Sequence, residues 1–388
     1  MKSVVLRGPV LTQSGYGVHS RQVARWLIDL AEAQKIKLAI QCVPWGDTTW
    51  YMNPDALDGL IGKIMKYSSG NQERGDVSFQ VILPNEWDLS CGSYNVGITA
   101  GIETDRCNPD WIDSVNKMDC VVVPSSHIKN TFKNSGKLST DIIVIPESFP
   151  DALFEEPTAE FEFDTPFNFL IFGQLTSPNP SDDRKNIFKT MKVLSDTFAQ
   201  NDDVGIVIKS NVGRSTILDY KTIQGIITSA CQQLKINKKI HLLHGTFTDK
   251  DLNNLYKTES IKATISLTRG EGFGLPILES AAAGVPVIAT GWSAHTDYMK
   301  RDLYLRVKYD LQEVSQTRVD PNLFMKSAKW AEFREKSAVE NLNNFYRYPN
   351  VYQKKAKELQ ESILETHNFE SIAKNYSKTF GERLCLGT

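Results

Sequence analysis

The sequence lacks several features that would assign a protein to a class at once. In its 388 residues, no apolar run approaches the ~18 residues that a membrane-spanning helix needs. The six cysteines are scattered without a CxxC pair or a Cys/His cluster, and the six histidines form no HExxH motif. These absences argue against a transmembrane protein, a disulfide framework and a zinc enzyme, and reduced thiols predict a cytoplasmic location.

An excess of charge of one sign is also missing. The formal net charge is −2, so the chain as a whole has no general attraction for nucleic acid or for an acidic membrane. The N-terminal string MKSVVLRGPVL is too short an apolar run for a signal peptide and lacks a small-residue cleavage site. It predicts a buried first strand instead.

Short apolar strands alternate with amphipathic helical stretches along most of the chain. The alternation is typical of parallel sheets with helical crossovers, and the length predicts two domains. It is interrupted at Pro146–Pro166, a proline-rich and acidic stretch that predicts a linker, and it restarts with FNFLIFG at Phe167. We therefore expect an N-terminal Rossmann-like domain at 1–150, a linker at 151–166, a second Rossmann-like domain at 167–345, and C-terminal helices at 346–388.

The most informative string is TRGEGFGLPILESAAAGVPVIAT, which begins at Thr268. It follows the predicted strand KATISL. Pro276 suits the first turn of a helix and Gly284 suits its end, so the string predicts one βαβ unit. Glycines in the loop let the backbone approach a ligand, and the N–H groups at a helix start favour an anion.

Two glutamates, Glu271 in the loop and Glu279 one turn into the helix, surround this predicted anion site. A carboxylate is a poor neighbour for a phosphate but a good acceptor for sugar hydroxyls. The pattern therefore favours a nucleotide sugar, with hydroxyls on both sides of a diphosphate. The ordinary alternative is that the glycines only form a turn and that Glu279 is a solvated helix residue.

The string resembles the E-x7-E signature of family 4 retaining glycosyltransferases, which have the GT-B fold. Further resemblances are SGYGVHSRQVARWL, TDRCNPDWIDSVNKMDCVVVPSSHIKNTF, FGQLTSPNPSDDRKN, HLLHGTFTDKDLNNLY and GWSAHTDYM. Together they cover most of the chain. The resemblance implies an α/β GT-B protein with two doubly wound Rossmann-like domains that face a cleft.

The resemblance also implies roles for individual residues. Glu271 would hold the hydroxyls of the donor sugar, Glu279 would hold the ribose, and Lys185 would contact the pyrophosphate. The donor sugar or its distal phosphate would lie against the backbone of Gly272, Phe273, Gly274 and Leu275. Thr246 and Phe247 would border the base pocket.

The sequence departs from the family pattern at two places. Where the family often has an arginine, this chain has Gln174, and the candidates to replace that charge are Arg184 and Lys209. Where many members have a histidine in the first domain, this chain has Glu103. Its carboxylate would bind the acceptor or orient the sugar, or it would simply cap local structure.

Other candidate ligand groups lie in the first domain. Gly15, Tyr16 and Gly17 resemble a glycine loop that approaches the donor phosphate. Four aromatic residues in the loops near them would stack on a sugar or a base, or would only pack: Trp45, Trp50, Tyr51 and Trp87. The acceptor itself stays open between a carbohydrate, a lipid-linked molecule and a nucleic acid.

The string Thr248–Asp251 contains a DxD sequence, which binds metal in another glycosyltransferase fold. Here a helix N-terminus with an acidic first turn explains it. We therefore expect neither a metal nor a cofactor, with a nucleoside-diphosphate sugar as co-substrate. The resemblance implies a retaining hexosyl- or pentosyltransferase, and the absence of a metal motif predicts that it is metal-independent. The alternatives are an epimerase or phosphorylase on the same fold and a non-catalytic nucleotide-sugar-binding protein.

Overall fold

Two compact units make up the chain. The computed structural model describes residues 1–70, 73–175, 177, 179–320 and 322–386. Unit 1 comprises Met1–Ser148 with His367–Thr388, and unit 2 comprises Phe149–Thr366. Residues 176 and 178, which belong to the string FGQLTSPNPSDDRKN, lie outside the described residues.

Unit 1 contains a six-stranded parallel sheet in the order β2-β1-β3-β4-β5-β6. Its elements are β1 Lys2–Gly8, α1 Gly15–Glu32, β2 Ile36–Cys42, α2 Leu60–Ser68, β3 Gly75–Val81, β4 Gly92–Ile98, α3 Pro109–Lys117, β5 Cys120–Val123, α4 Ser126–Ser135 and β6 Ile142–Val144. All four residues of β5, CVVV, are buried, as expected for a strand covered on both faces.

Unit 2 contains a second six-stranded parallel sheet in the order β12-β11-β10-β7-β8-β9, and a separate antiparallel hairpin of β13 and β14. Its elements are β7 Phe167–Phe172, α5 Ile187–Thr197, β8 Val204–Ser210, α6 Ile217–Leu234, β9 Lys239–His244, α7 Asp249–Lys257, β10 Ile261–Ser266, α8 Leu275–Ala282, β11 Val287–Thr290, β12 Leu305–Val307, β13 Tyr309–Glu313, β14 Lys329–Phe333, α9 Glu335–Arg347 and α10 Pro349–Thr366. Buried clusters built on Phe169 and on Leu170 form its core.

The last helix, α11 Phe369–Leu384, belongs to unit 1. It adds five side chains to the core of that unit: Phe369, Ile372, Tyr376, Phe380 and Leu384. The ring of Tyr376 stacks on Trp26 of α1 at a centroid distance of 5.1 Å, and Phe380 meets Phe79 of β3 edge-on at 5.2 Å. The sheet of unit 1 is therefore covered in part by residues from the far end of the chain.

The structure divides the chain differently from the predicted boundaries. The predicted C-terminal segment 346–388 is split, because α10 packs on α8 within unit 2 while α11 belongs to unit 1. Two glutamines of α10 explain the position of this helix. Gln360 Nε2 donates to the carbonyl of Ala282 at 2.8 Å, and Gln353 Nε2 donates to the carbonyl of Gly284 at 3.0 Å, so both satisfy carbonyl groups at the end of α8.

The predicted linker at 151–166 is part of unit 2 and has specific contacts there. Residues Asp151–Phe154 form a short 3-10 helix. The side-chain amide of Asn253 donates to the carbonyl of Glu155 at 3.1 Å, and Phe161 stacks on Phe247 at a centroid distance of 5.7 Å. Proline and acidic residues indicated the irregular backbone but not these contacts, which depend on residues almost a hundred positions away.

One further expectation differs from the structure. Gly15 and Gly17 lie in the first turn of α1 and not in a loop before it, because Ser14 caps the helix and its hydroxyl accepts from the backbone N–H of Gly17 at 3.0 Å. Among the described residues, no helix is both long enough and apolar enough to cross a membrane.

Candidate active site

The predicted βαβ unit forms as β10, α8 and β11, and it positions both signature glutamates. Gly274 precedes α8 with a left-handed backbone (φ +94°), a conformation that a residue with a Cβ atom rarely adopts. Pro276 occupies the first turn, and Gly284 follows the helix with φ +74°. The loop therefore turns sharply into the helix, with Glu271 before the turn and Glu279 after it.

Glu271 is the centre of a buried ion cluster. Its carboxylate accepts hydrogen bonds from Lys185 Nζ at 2.8 and 2.9 Å and lies 3.4 Å from Nη1 of Arg184. The side chain is only 7% exposed. Burial alone would raise the pKa of Glu271, but the charges of Lys185 and Arg184 lower it to about 2, so the carboxylate is ionised at neutral pH.

The backbone of Glu271 is held by a second group of contacts. Its N–H donates to Ser293 Oγ at 2.9 Å, and Ser293 adopts a positive φ of 84°. Nε2 of the buried His295 lies 2.7 Å from the carbonyl oxygen of Thr290, so this nitrogen carries the proton. Burial lowers the pKa of His295, which favours this neutral form. The histidine supports the loop that carries Ser293.

Glu279 has a different environment. Its carboxylate is buried and accepts a hydrogen bond from the hydroxyl of Tyr256 in α7 at 2.9 Å. Burial raises the pKa of Glu279 to about 7, although the hydrogen bond from Tyr256 opposes this effect. The pKa values of the two signature glutamates are therefore shifted in opposite directions, because lysine and arginine neighbours surround the first and not the second.

Lys209, one of the two candidates for the missing charge, lies at the carboxyl end of β8 and is buried. Its ammonium group donates to the carbonyl of Gly245 at 2.6 Å and sits 4.3 Å from the centroid of the Phe247 ring. Burial lowers the pKa of Lys209 to about 8. Thr246 is exposed between these two contacts, and its hydroxyl lies 3.2 Å from that of Ser215.

A small cavity lies beside the ion cluster at the carboxyl edge of the sheet. It is lined by Thr264 and Ser266 of β10 and by five further residues: Phe172, Lys185, Glu271, Pro276 and Ile277. The backbone around Gly272 and Phe273 is buried, and the hydroxyl of Tyr298 donates to the carbonyl of Gly274 at 2.8 Å. Leu275 is half-buried at the start of α8. In unit 2 the structure therefore collects basic side chains, carboxylates and a helix start at one sheet edge.

The other predicted ligand residues belong to unit 1. The hydroxyl of Tyr16 lies 2.8 Å from that of Thr99 and accepts from the backbone N–H of Ala100 at 3.1 Å. Burial raises the pKa of Tyr16, and the carboxylate of the nearby Glu103 adds to the effect. The ring of Trp45 stacks on Tyr16 at a centroid distance of 4.2 Å. These residues gather at the carboxyl edge of the unit 1 sheet.

Gly17 also has a packing reason, because a Cβ atom there would collide with the backbone oxygen of Thr12. The DxD string forms a helix N-terminus, as predicted: Thr248 caps α7, and its hydroxyl and the Asp251 carboxylate form a reciprocal capping box. In the described part of the chain, no three His, Cys, Asp or Glu side chains come together as a metal site would require.

Three residues of this site are absent from the sequence-based expectations: Tyr256, Arg269 and Ser293. Arg269 is 3% exposed and stands two positions before Glu271. Its position inside the signature string is the only sequence signal that points to it. Tyr256 and Ser293 contact the signature glutamates from other segments of unit 2, and although both lie in strings that resemble the family, no residue pattern within those strings singles them out.

Comparisons with known proteins agree with this geometry. Residues 183–303 match the family model described as "Glycosyl transferases group 1". A search of curated proteins finds no match. Solved structures with the same fold include sucrose-phosphate synthase from Thermosynechococcus elongatus, with a TM-score of 0.65 and 14% identity over 100% of both chains. Another is Anabaena HepE in complex with UDP and glucose, with a TM-score of 0.64 and 13% identity over 98% of this chain and 100% of that one.

The two parallel sheets, the structural neighbours and the family match confirm the resemblance to family 4 glycosyltransferases and the GT-B fold. Residues 183–303, which include Arg184, Lys185 and both signature glutamates, form a group 1 glycosyltransferase domain. The enzyme therefore contains a glycosyltransferase domain within unit 2.

Proposed function

We propose that the chain transfers a glycosyl group from a nucleoside-diphosphate sugar to an acceptor hydroxyl, with retention at the anomeric carbon and without a metal ion. The observation that carries the proposal is the buried cluster of Glu271, Lys185 and Arg184 beside the glycine-rich start of α8. Two cations and a helix start favour a diphosphate, and two nearby carboxylates favour hydroxyl groups.

In the proposed complex, Arg184, Lys185 and Lys209 bind the diphosphate. Glu271 accepts hydrogen bonds from the hydroxyls of the donor sugar, and Glu279 accepts those of the ribose. The charge on the leaving diphosphate grows in an oxocarbenium-like transition state, where fixed cations stabilise it most strongly. Because they stabilise the transition state more than the bound donor, the basic residues increase the rate of glycosyl transfer.

Glu271 is the carboxylate of the proposed sugar site, and it is already engaged by two cations. A group held in this way is a weak nucleophile, which supports attack by the acceptor on the face that the diphosphate leaves. We place the acceptor hydroxyl with unit 1, where Glu103, Tyr16 and Trp45 lie near one another. The acceptor classes to be tested are a saccharide, a lipid-linked molecule and a nucleic acid.

A donor screen tests the proposal directly. Because HepE was solved with UDP and glucose, UDP-sugars are tested first, followed by GDP- and ADP-sugars, each with and without EDTA. We expect one donor to release its nucleoside diphosphate equally well in EDTA, and NMR to show a product or hydrolysed sugar with the anomeric configuration of the donor.

Activity that EDTA abolishes and manganese restores would contradict the metal-independent mechanism. An inverted product would contradict retention. Isomerised nucleotide sugar without release of the diphosphate would favour the epimerase alternative, and binding of a donor without turnover, in the presence of varied acceptors, would favour a non-catalytic binding protein.

A further inference from the structure

Arg269 joins three segments of unit 2. One nitrogen, Nη1, lies 2.9, 3.0 and 2.8 Å from the carbonyl oxygens of Pro180, Ser181 and Asp183. All three carbonyls belong to residues 179–186, which we call the basic loop because it carries Arg184 and Lys185. The side chain of Arg269 therefore binds the backbone of the loop whose own side chains reach Glu271.

The other nitrogens of Arg269 contact the β13–β14 hairpin. Nε and Nη2 lie 2.9 and 2.8 Å from Oε2 of Glu332 in β14. The guanidinium carbon also lies 5.2 Å from the centroid of the buried Trp330 ring. The backbone of Arg269 takes part as well. Its N–H donates to the carbonyl of Arg184 at 2.9 Å, and its carbonyl accepts from the N–H of Ala331 at 2.9 Å.

The hairpin holds the basic loop and the start of α5 at further points. Oε1 of Glu332 accepts from Lys189 Nζ at 2.8 Å and from the side-chain amide of Asn186 at 3.3 Å. The hydroxyl of Thr317, between the two strands, donates to Asp182 Oδ1 at 2.7 Å. Both oxygens of the Glu332 carboxylate are thus occupied by groups that fix the loop.

Within the basic loop, the backbone itself is unusual. The Asp183 carboxylate accepts from the N–H groups of Lys185 at 3.1 Å and of Ile187 at 2.6 Å, and Asn186 adopts a left-handed conformation with φ 56°. Such a turn has no regular ladder to stabilise it, so its shape depends on contacts from neighbouring segments. Arg269 supplies three of these contacts from a buried position.

We infer that Arg269 and Glu332 form a buried positioning pair that sets the basic loop so that Arg184 and Lys185 meet the diphosphate of the donor. The inference rests on the proposed function, which assigns the diphosphate to these two residues. It also gives a role to the hairpin, which lies beyond residue 303, where the family match ends. An arginine is required because only its planar fork reaches several carbonyls and a carboxylate at once.

The test separates loop positioning from general damage by comparing two probes, UDP and uridine, or the equivalent pair for whichever base binds in the donor screen. Uridine lacks the diphosphate and should depend on Glu279 but not on the basic loop. For Arg269→Lys we expect the Kd of UDP to rise by about tenfold or more, the loss typical of hydrogen bonds to charged groups, with the Kd of uridine nearly unchanged. Glu332→Gln, which keeps the shape of the side chain, should show the same pattern.

Arg334→Lys is the matched control. Arg334 forms a bidentate pair with Asp310 on the same hairpin, at 2.6 and 2.9 Å, but both side chains are 55% exposed and neither contacts the basic loop. This variant should bind both probes like the wild type. If Arg269→Lys does not fold, Glu332→Gln still tests the pair through the same ratio of affinities, and Thr317→Val tests the separate contact between the hairpin and Asp182 of the basic loop.

Equal losses for UDP and uridine in both pair variants would show a merely structural role and overturn the inference. So would unchanged UDP affinity in folded Arg269→Lys when Lys185→Ala weakens UDP, an outcome that leaves the proposed function intact. If Lys185→Ala binds UDP like the wild type, the diphosphate assignment itself is wrong, and the inference falls with it.

Discussion

Glu271 and Glu279 are eight positions apart in the chain, and their pKa values are shifted in opposite directions. Lys185 and Arg184 keep the first carboxylate ionised, whereas burial without a cation raises the pKa of the second to about 7. Ionised Glu279 accepts ribose hydroxyls more strongly than its protonated form, which keeps only part of its acceptor capacity. Occupancy of this site should therefore depend on pH, while the ion cluster around Glu271 stays constant over the same range.

We predict that the ratio of the affinity for UDP to that for its 2′,3′-dideoxy analogue rises with pH through about 7 and is constant above it. The sign follows because an ionised carboxylate accepts ribose hydroxyls more strongly than a protonated one, so the gain is complete above the pKa of Glu279 and is lost below it. The titration of Lys209, with a pKa of about 8, affects both ligands alike because both carry the diphosphate. Calorimetric titrations with UDP and with its 2′,3′-dideoxy analogue measure the effect, and the ratio of the two affinities cancels the titration of the diphosphate. Glu279→Gln should give a flat ratio, and a flat ratio in the wild type would contradict the ribose assignment.

Tyr256→Phe provides a second prediction about the same carboxylate. The hydroxyl of Tyr256 stabilises ionised Glu279, so its removal should raise the pKa of Glu279 and move the midpoint of the pH profile upward. Affinity well above the new midpoint should recover toward the wild-type value. A profile with an unchanged midpoint would show that the hydrogen bond has no influence on Glu279.

For individual residues, the sequence predicted those that have a local signature and missed those that are defined by distant partners. Glycines and a proline around a strand end and a helix start led to both glutamates. The ion pair between Lys185 and Glu271 joins residues 86 positions apart, and the contact from Tyr256 to Glu279 crosses between helices. The resemblance implied ligands for Lys185 and Glu271, but it gave no indication that they bind each other.

Among the elements, α8 depends most visibly on one residue. Gly274 has φ +94°, and a Cβ atom built there lies 3.0 Å from the hydroxyl of Tyr298, which itself binds the Gly274 carbonyl. To make room, the hydroxyl would have to shift by a few tenths of an ångström, which weakens that hydrogen bond. The start of α8, and with it the distance between the two glutamates, is therefore coupled to the backbone of one glycine.

We predict that Gly274→Ala destabilises the protein by ~1–3 kcal/mol through backbone strain and weakens UDP binding. Thermal unfolding and calorimetry measure the two effects. Gly225→Ala is the control, because Gly225 lies within α6 and a Cβ atom there meets nothing within 4 Å. This control should be neutral or stabilising by ~0.5–1 kcal/mol. Equal stability of the two variants would contradict the strain argument.

The elements also show where periodicity fails as a predictor. The parallel strands were recognisable because most are short, buried apolar runs, and the N-terminus of α7 was recognisable from Thr248 and the acidic residues that follow it. The β13–β14 hairpin was missed because β13, YDLQE, is almost entirely exposed and has no apolar face. Its position depends on Arg269 and Glu332, which are 63 residues apart.

For the molecule as a whole, unit 1 is discontinuous in sequence. The sheet is built from the first 148 residues, but the side of α1 that carries Trp26 is completed by α11. Trp26 Nε1 donates to Ser377 Oγ at 2.9 Å, and the guanidinium of Arg25 sits 3.8 Å from the ring centroid of Phe369. Unit 1 therefore depends on α11, whereas unit 2 is formed by one continuous segment of the chain.

We predict that Phe380→Ala destabilises unit 1 by ~3–5 kcal/mol, the usual cost of a large cavity. Hydrogen exchange should accelerate in β1–β4 and stay unchanged in β7–β11. Lys378→Ala, an exposed position on the same helix, should leave exchange unchanged in both units. Faster exchange in both units of Phe380→Ala would show that α11 also stabilises unit 2.

The split of unit 1 also has a consequence for the order in which the protein matures during translation. All segments of unit 2, Phe149–Thr366, leave the ribosome before α11 does. Domains generally fold as units while the chain grows, so the domain that is translated first is the last to be completed. Until α11 emerges, the nascent chain exposes the apolar surface around Trp26 and Phe79, which makes this stage the one at which a chaperone would be most useful.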